Sequence, residues 1–419
     1  MQDSEIEELA DEIRAQLCEV PSPHPEFCIG RVRRGLREAH RVAYIPMTIS
    51  IGPLHHSRRD LTTMEKYKQH YTKAFLRQSP HMLLEDYLKA LQGLEEKARR
   101  CYGEIIDLSS KKFKKMMLYD GCFIIELFLR FMREAPGSVD DPILKRIGLL
   151  KRIKRDMILF ENQLPYFVLQ CLFNISSVFN GGPSLIDLAL NFFSDIIPGH
   201  KKFPQEMGVD IKHLLDLLRH SYAPSWIDEH AFDNEPEVLI HSATDLKIKA
   251  AIKFRTAGRA KSLLDIKFHS NGLMEIPRLK LQAETESLFR NFMAFEQCCE
   301  RSHAYITDYI SFMGSLIKAW DDANLLCDIG IIESHLPCDP LAITDLFRTL
   351  SKELVVYNCY YSRLCKRVNF CCTRLQLPWP WAETTVCNCC SVFILGILLL
   401  AGPWMSICEF MGALILVIF

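Results

Sequence analysis

From Val386 to Cys408 no side chain carries a charge, and beyond the single Glu409 the apolar run continues to Phe419. A helix needs about 20 apolar residues to cross a hydrocarbon layer about 30 Å thick. The stretch therefore predicts a membrane anchor at residues 386–419 and a globular body before it. Arg363, Lys366, Arg367 and Arg374 precede the anchor and no basic residue follows it. By the positive-inside rule the body then faces the cytosol, as in a tail-anchored, single-pass protein. The start, Met1-Gln2-Asp3-Ser4-Glu5, is acidic and has no apolar stretch behind it, which argues against a cleaved secretory signal.

Ahead of that anchor the chain reads as ordinary folded protein: 49% of the 419 residues are apolar and 24% charged. Fifty basic side chains stand against 51 acidic ones, so no global field draws the body onto nucleic acid. The seventeen cysteines are scattered without the spacing of a small secreted scaffold and read as free thiols.

Helical spacing dominates. Ile6, Leu9, Ile13 and Leu17 give an amphipathic first helix with a capping box at Ser4 to Glu7, ended by Pro21-Ser22-Pro23-His24-Pro25. Residues 44–53 hold Pro46, Gly52 and Pro53 and are expected to be extended and closed by a turn. Helices are expected over 62–76 and 82–100. A third, over 113–133, is apolar on nearly all sides and belongs at the centre of a bundle despite Asp120 and Glu126. Further helices are expected at 145–159, 185–197, 210–220, 284–295 and 306–317. Between them Leu264, Ile266 and Phe268 alternate with polar residues, Asn271-Gly272 follows, and 273–276 completes the pattern of a β-hairpin. The expected fold is mainly α: a large helical bundle with a small β-hairpin and a C-terminal transmembrane helix. The expected domains are an N-terminal helix and linker at 1–43, a globular helical domain at 44–370, a Cys/Pro/Trp-rich juxtamembrane segment at 371–385 and the anchor at 386–419. The acidic, proline-bearing stretch 221–237 is the best internal boundary within the globular domain.

The segment Ile45-Pro46-Met47-Thr48-Ile49-Ser50-Ile51-Gly52-Pro53-Leu54-His55-His56, followed by Met64-Glu65 and Lys68, resembles the opening signature of the plant family called domain of unknown function 247. More segments similar to that family come after it in order. They include Asp120-Gly121-Cys122 through Glu126-Leu127, and Asp156 to Leu169 with Glu161-Asn162-Gln163-Leu164-Pro165 inside it. After them come 213–219, 242–246, 263–268, Phe289-Arg290-Asn291, Ala294-Phe295-Glu296-Gln297-Cys298 and Arg367-Val368-Asn369. The resemblance covers about Ile45 to Asn369. It implies a mostly helical plant protein with a C-terminal membrane helix and no established activity, and it supplies no catalytic residues to carry over; no cofactor is expected. Some relatives are implicated in self-incompatibility recognition in grasses. Leu54 stands where the family usually has an aromatic, and 372–402 does not look like it. Pro403-Trp404, Ser406 and 413–419 do resemble its terminal anchor, so three crossings fit the tail: 386–408, 404–419, or both as a hairpin.

His55 and His56, with Glu65 nearby, are the residues best suited to hold a metal or move protons. Adjacent histidines rarely aim at one ion, and no second ligand pair stands at the usual spacing, so a turn bonded to its own backbone is the favoured reading. Asp120, Glu126 and Glu161 lie in apolar surroundings, where each must be paired or neutral; ion pairs with Lys and Arg are favoured over acid catalysis. Cys387, Cys389 and Cys390 contain a CxxC, yet at the edge of an apolar run they are better candidates for S-acylation or plain packing than for zinc. The basic runs 111–115 and 151–155 read as solvated faces or headgroup contacts. Phosphate-binding, dinucleotide-binding and nucleophile-elbow motifs do not occur. The expected function is therefore recognition or signalling without catalysis, at a membrane and through an unidentified protein partner, with no nucleic acid bound. A membrane-bound enzyme using His55, His56 and Glu65, or a lipid-binding scaffold, are the alternatives.

Overall fold

The computed structural model describes residues 2–19, 27–133, 141–176, 181–196, 210–223, 238–258, 262–299, 304–334, 339–352, 354, 356 and 359–376. The chain divides into two compact units, Met1–Val368 and Asn369–Phe419. Apart from the end of its last helix, the described fold belongs to the first unit. The expected anchor at 386–419, the juxtamembrane cysteines Cys387, Cys389 and Cys390, and most of the expected boundary at 221–237 lie outside the described residues. Among the described residues no helix is long and apolar enough to cross a membrane.

Helix α1 (Gln2–Glu19) begins two residues before the expected cap at Ser4. Short helices α2 (Arg34–Ala39) and α3 (Arg41–Tyr44) lead into the extended segment 45–53. Then come α4 (Thr62–Arg77), α5 (Leu84–Arg100) and α6 (Ser110–Arg133). The expectation for α6 holds: from Phe113 to Leu129 almost every side chain is buried, and the helix packs against α4, α5, α8 (Tyr166–Ser176) and α9 (Leu185–Phe192). A Cβ on Gly121 would meet Leu172 Cδ1 at 2.3 Å, so the missing side chain sets how closely α6 and α8 approach. Between them α7 (Ile147–Met157) ends ahead of the Glu161-to-Pro165 stretch.

The second half is built on α10 (Leu214–Ser221), α11 (Ala243–Lys249), α12 (Thr285–Cys299), α13 (Tyr305–Leu316), α14 (Trp320–Asp328), α15 (Pro340–Ser351) and α16 (Ser362–Gln376). Helix α12 packs on α3, α10 and α13, so the two halves share one core. The sequence pattern does not predict helices α8, α11, α14, α15 and α16.

The β structure is larger than one hairpin. Strand β2 (Lys267–Phe268) pairs antiparallel with β3 (Leu273–Ile276) across a turn where Gly272 takes φ +76°, as Asn271-Gly272 predicts. Strand β1 (Lys253–Thr256) adds to the other edge of β3 in parallel. A separate pair joins β4 (Leu279–Leu281) to β5 (Ile332–Ser334), also in parallel. Leu264 and Ile266, expected in the first hairpin strand, sit instead in a turn. The Asp265 carboxylate accepts the Ser262 N–H at 3.0 Å and the Ile266 N–H donates to Leu264 O at 2.8 Å, closing the backbone on itself before the ladder begins.

Candidate functional site

The prolines and Gly52 keep 45–53 out of any helix or sheet, so its buried backbone groups must find partners elsewhere. Side chains supply them. Asp156, at the end of α7, accepts the N–H groups of Met47, Thr48 and Ile49 at 3.0, 2.6 and 3.0 Å. Asn162 accepts from Ile51 at 2.7 Å and Asp120 from Gly52 at 2.9 Å. Asn162 also donates to Ile49 O and Asp156 O, tying the segment to the loop after α7. Pro46 and Pro53 have no N–H to satisfy, and the Pro46 carbonyl accepts from Arg58 at 2.8 Å. Gly52 holds φ +74°, and a Cβ there would lie 2.3 Å from the Gln163 carbonyl oxygen. Gln163 donates to Met157 O and Leu159 O and accepts the Leu215 N–H, binding this loop to α10. Pro165 stands next to the first residue of α8, where a missing N–H costs nothing.

Cations sit against the buried acids. Lys68, fully buried on α4, places Nζ 2.7 Å from Asp120, 2.6 Å from Glu65 and 3.3 Å from Ser50 Oγ. Burial pulls its ammonium down, but the two carboxylates outweigh this and hold it above the ordinary lysine value. Glu161 receives His55 Nε2 at 3.1 Å, Arg31 at 3.2 Å and Arg37 at 3.8 Å, and accepts the Val32 N–H at 3.0 Å. Burial pushes Glu161 up, and His55, Arg37 and the Val32 N–H more than offset it, so its carboxyl lies below the usual range. Glu126 pairs with Arg130 at 2.7 Å.

A second buried cluster lies between α10, α12 and α13. His213 caps α10, accepting the Asp216 N–H, and its Nε2 lies 2.9 Å from the Cys28 carbonyl. Burial lowers His213 to about 4, against the pull of Asp216. Arg219 lies 3.0 Å from Asp216 and 3.8 Å from Glu296. Glu296 accepts the N–H groups of Ile306 and Thr307 and the Thr307 hydroxyl, at 3.1, 2.8 and 2.7 Å. Burial nevertheless pushes Glu296 up to about 7. Gln297 is buried beside it in sequence.

The structure thus gives His55, His56 and Glu65 separate settings. The backbone does turn, His56 N–H donating to Pro53 O and Arg58 N–H to His55 O. The His55 ring is engaged by Glu161 rather than by that backbone, and Glu65 is engaged by Lys68. His56 Nδ1 has no hydrogen-bond partner among the described residues. Among the described residues no three His, Cys, Asp or Glu side chains are grouped to hold a metal. The reading of 151–155 as a solvated face is corrected in half: Lys151 and Arg152 are exposed, but Arg155 is buried against Asp156 and Lys154 stands over the rings of Phe131 and Phe192. Sequence reading assigns no role to His213, Asp216 or Arg219, nor to Asp156 as a hub. Their one local signal is a charged residue inside an otherwise apolar stretch.

A model for a family described as plant protein of unknown function, DUF247, matches residues 29–408. This chain belongs to the DUF247 family. Among its relatives, the UPF0481 protein At3g47200 of Arabidopsis thaliana is 31% identical over 408 residues, spanning 88% of this chain and 84% of that one. The putative UPF0481 protein At3g02645 of the same plant is 23% identical over 78% of each. No solved structure matches the chain. Asp156, Asn162 and Asp120 pin the extended segment to the core through its backbone, and Lys68 meets Ser50.

Proposed function

We propose that this DUF247 chain is a recognition or signalling protein without catalysis, held at a membrane by residues 386–419 with its body in the cytosol, and working through a protein partner. The observation that carries the first part is the engagement of Asp120, Asp156, Glu161 and Asn162 with backbone N–H groups, of Asp120 and Glu161 with cations as well, and of His55 with Glu161. A general acid or base must reach a substrate atom directly or through one water; Asp120, Asp156 and Asn162 are engaged in holding 45–53, and Glu161 and His55 are engaged with each other. The anchor rests on the uncharged run of the sequence, and the partner on the absence of any motif for substrate chemistry in that sequence.

Proximity labelling by the intact chain in plant cells tests the partner: a reproducible set of neighbouring proteins, unchanged in His56→Gln, is expected. A small-molecule conversion by the purified chain that disappears in His56→Gln would overturn the reading in favour of an enzyme. Alkaline carbonate washing tests the anchor. The intact chain should stay with the membrane and a chain cut after Ala382 should be released, whereas release of both removes the anchor from the proposal.

A further inference from the structure

Two surfaces of this chain are complementary and both stand open. The first is a groove of about 1140 Å³ between α4, α5 and α6. Leu76, Leu84, Leu88, Leu118 and Tyr119 give it an apolar floor. Its rim carries six cations, Lys73, Arg77, Lys89, Lys111, Lys114 and Lys115, against one acid, Glu85. Lys114 has Glu95 only at 4.0 Å, and Lys73, Arg77, Lys89, Lys111 and Lys115 form no ion pair among the described residues. The groove exceeds the range of about 300–1,000 Å³ that encloses a small ligand, and its walls are helices. Its chemistry suits an amphipathic helix with an apolar stripe and acidic flanks, laid in the groove by its stripe.

The second surface is α1. Ile6, Leu9 and Ile13, at helical spacing, are 64%, 56% and 45% exposed, a stripe that no described residue covers. The helix carries seven acids and one arginine, and that arginine is paired with Asp11 at 2.7 Å. At about 1.5 Å per residue its 18 residues span roughly 27 Å, close to the roughly 25 Å of the 17-residue α5 that forms one wall of the groove.

We infer that α1 of one copy docks in the α4–α5–α6 groove of a second copy, and that the exchange is reciprocal, giving a closed two-fold dimer. Each copy supplies one helix and one groove, so the same contact is made twice and leaves neither element unfilled. The apolar stripe on the leucine floor provides burial, and the acidic flanks against the basic rim fix orientation and speed encounter. This goes beyond the recognition role proposed above and does not depend on it.

The test uses the full-length chain under two affinity tags, co-expressed and solubilised in detergent, with co-purification and mass measured over a concentration series. Two copies per particle are expected. Leu9→Asp should weaken association at least tenfold, as should a groove reversal combining Lys73→Glu, Lys89→Glu and Lys111→Glu; all are surface changes, checked for retained helicity by circular dichroism. A third chain reverses α1 with Glu5→Lys, Glu8→Lys and Glu12→Lys. Alone it should pair weakly, but mixed with the groove-reversed chain it should form the mixed dimer in preference to either chain alone, because the like-charge contacts of each homodimer are then removed. Pairing that survives Leu9→Asp places the interface elsewhere and overturns the inference. A monomer at all concentrations, or no rescue in the mixture, does the same and leaves α1 folding onto its own groove. Loss of binding to anionic vesicles on groove reversal, with mass unchanged, assigns the groove to lipid instead.

Discussion

Glu161 and Glu296 are both fully buried carboxylates in the same core, and they are shifted in opposite directions. Glu161 has an imidazole and two guanidinium groups within 3.1–3.8 Å, and its carboxyl is held low. Among the described residues Glu296 has one cation, Arg219, at 3.8 Å and closer to Asp216, and is pushed up to about 7. Burial alone therefore does not decide the charge state; the number and distance of cations do. The segment 45–53 is held by Asp156 and Asp120, whose carboxyls burial pushes up against the N–H donors and cations beside them, so it depends on those partners, whereas the α10–α12–α13 cluster carries an acid pushed up to about 7. The first arrangement is brittle toward loss of a partner, the second toward a change of pH.

The largest expected effect breaks the first arrangement. Lys68→Met leaves Asp120 buried beside Glu65 without its cation and should cost about 3–5 kcal/mol in chemical denaturation. Adding Asp120→Asn should recover part of that loss, because the neutral amide no longer needs the ammonium. A double variant no better than Lys68→Met would show that shape rather than charge holds Gly52. Next comes Gly52→Ala, which forces a Cβ toward the Gln163 carbonyl at φ +74° and should cost about 2–3 kcal/mol. A loss below about 1 kcal/mol would mean that the strap bends freely.

The pH response sharpens the contrast. Glu296 has a folded value of about 7 against an ordinary 4.5, so the folded state binds the extra proton between them. Its contribution is fully present below 4.5 and is lost as pH rises through 7, at about 1.4 kcal/mol per unit. His213 runs the other way. Lowered from 6.5 to about 4, it contributes above 6.5 and loses that contribution as pH falls through 4. The two slopes oppose each other between 4.5 and 6.5. Glu296→Gln should therefore unmask a stability that rises with pH across that window, and His213→Asn, which keeps a capping oxygen, one that falls. Parallel pH profiles for the two variants would sink this account. The smallest effect is expected at the exposed pair of Asp245 and Lys249, where Asp245→Asn should leave the denaturation midpoint unchanged.

Local chemistry was legible wherever it was self-contained. An all-round apolar α6, an Asn271-Gly272 turn and the breaks at Pro46, Gly52 and Pro53 can each be read from the residues of their own segment. Helix α8 was hidden because Glu161-Asn162-Gln163-Leu164-Pro165 reads as a stop, when its proline stands at the start of the next helix. Lys154 and Arg155 look solvated because four basic residues in five resemble a surface run, whereas Asp156, Asp195, the carbonyls of Val42 and Ile45 and the rings of Phe131 and Phe192 make their burial tolerable.

By itself the sequence determined that this is a DUF247 chain with a mainly helical body, and that Asp120, Glu126 and Glu161, set among apolar residues, must be paired or neutral. Tertiary structure alone decided which partner each acid takes. Lys68 meets Asp120 across 52 positions, and Asp156 collects the N–H groups of residues more than a hundred positions away. Desolvation acts on each acid locally and so is written in the residues around it. Pairing acts through space at about 3 Å and is set only when the helices have packed.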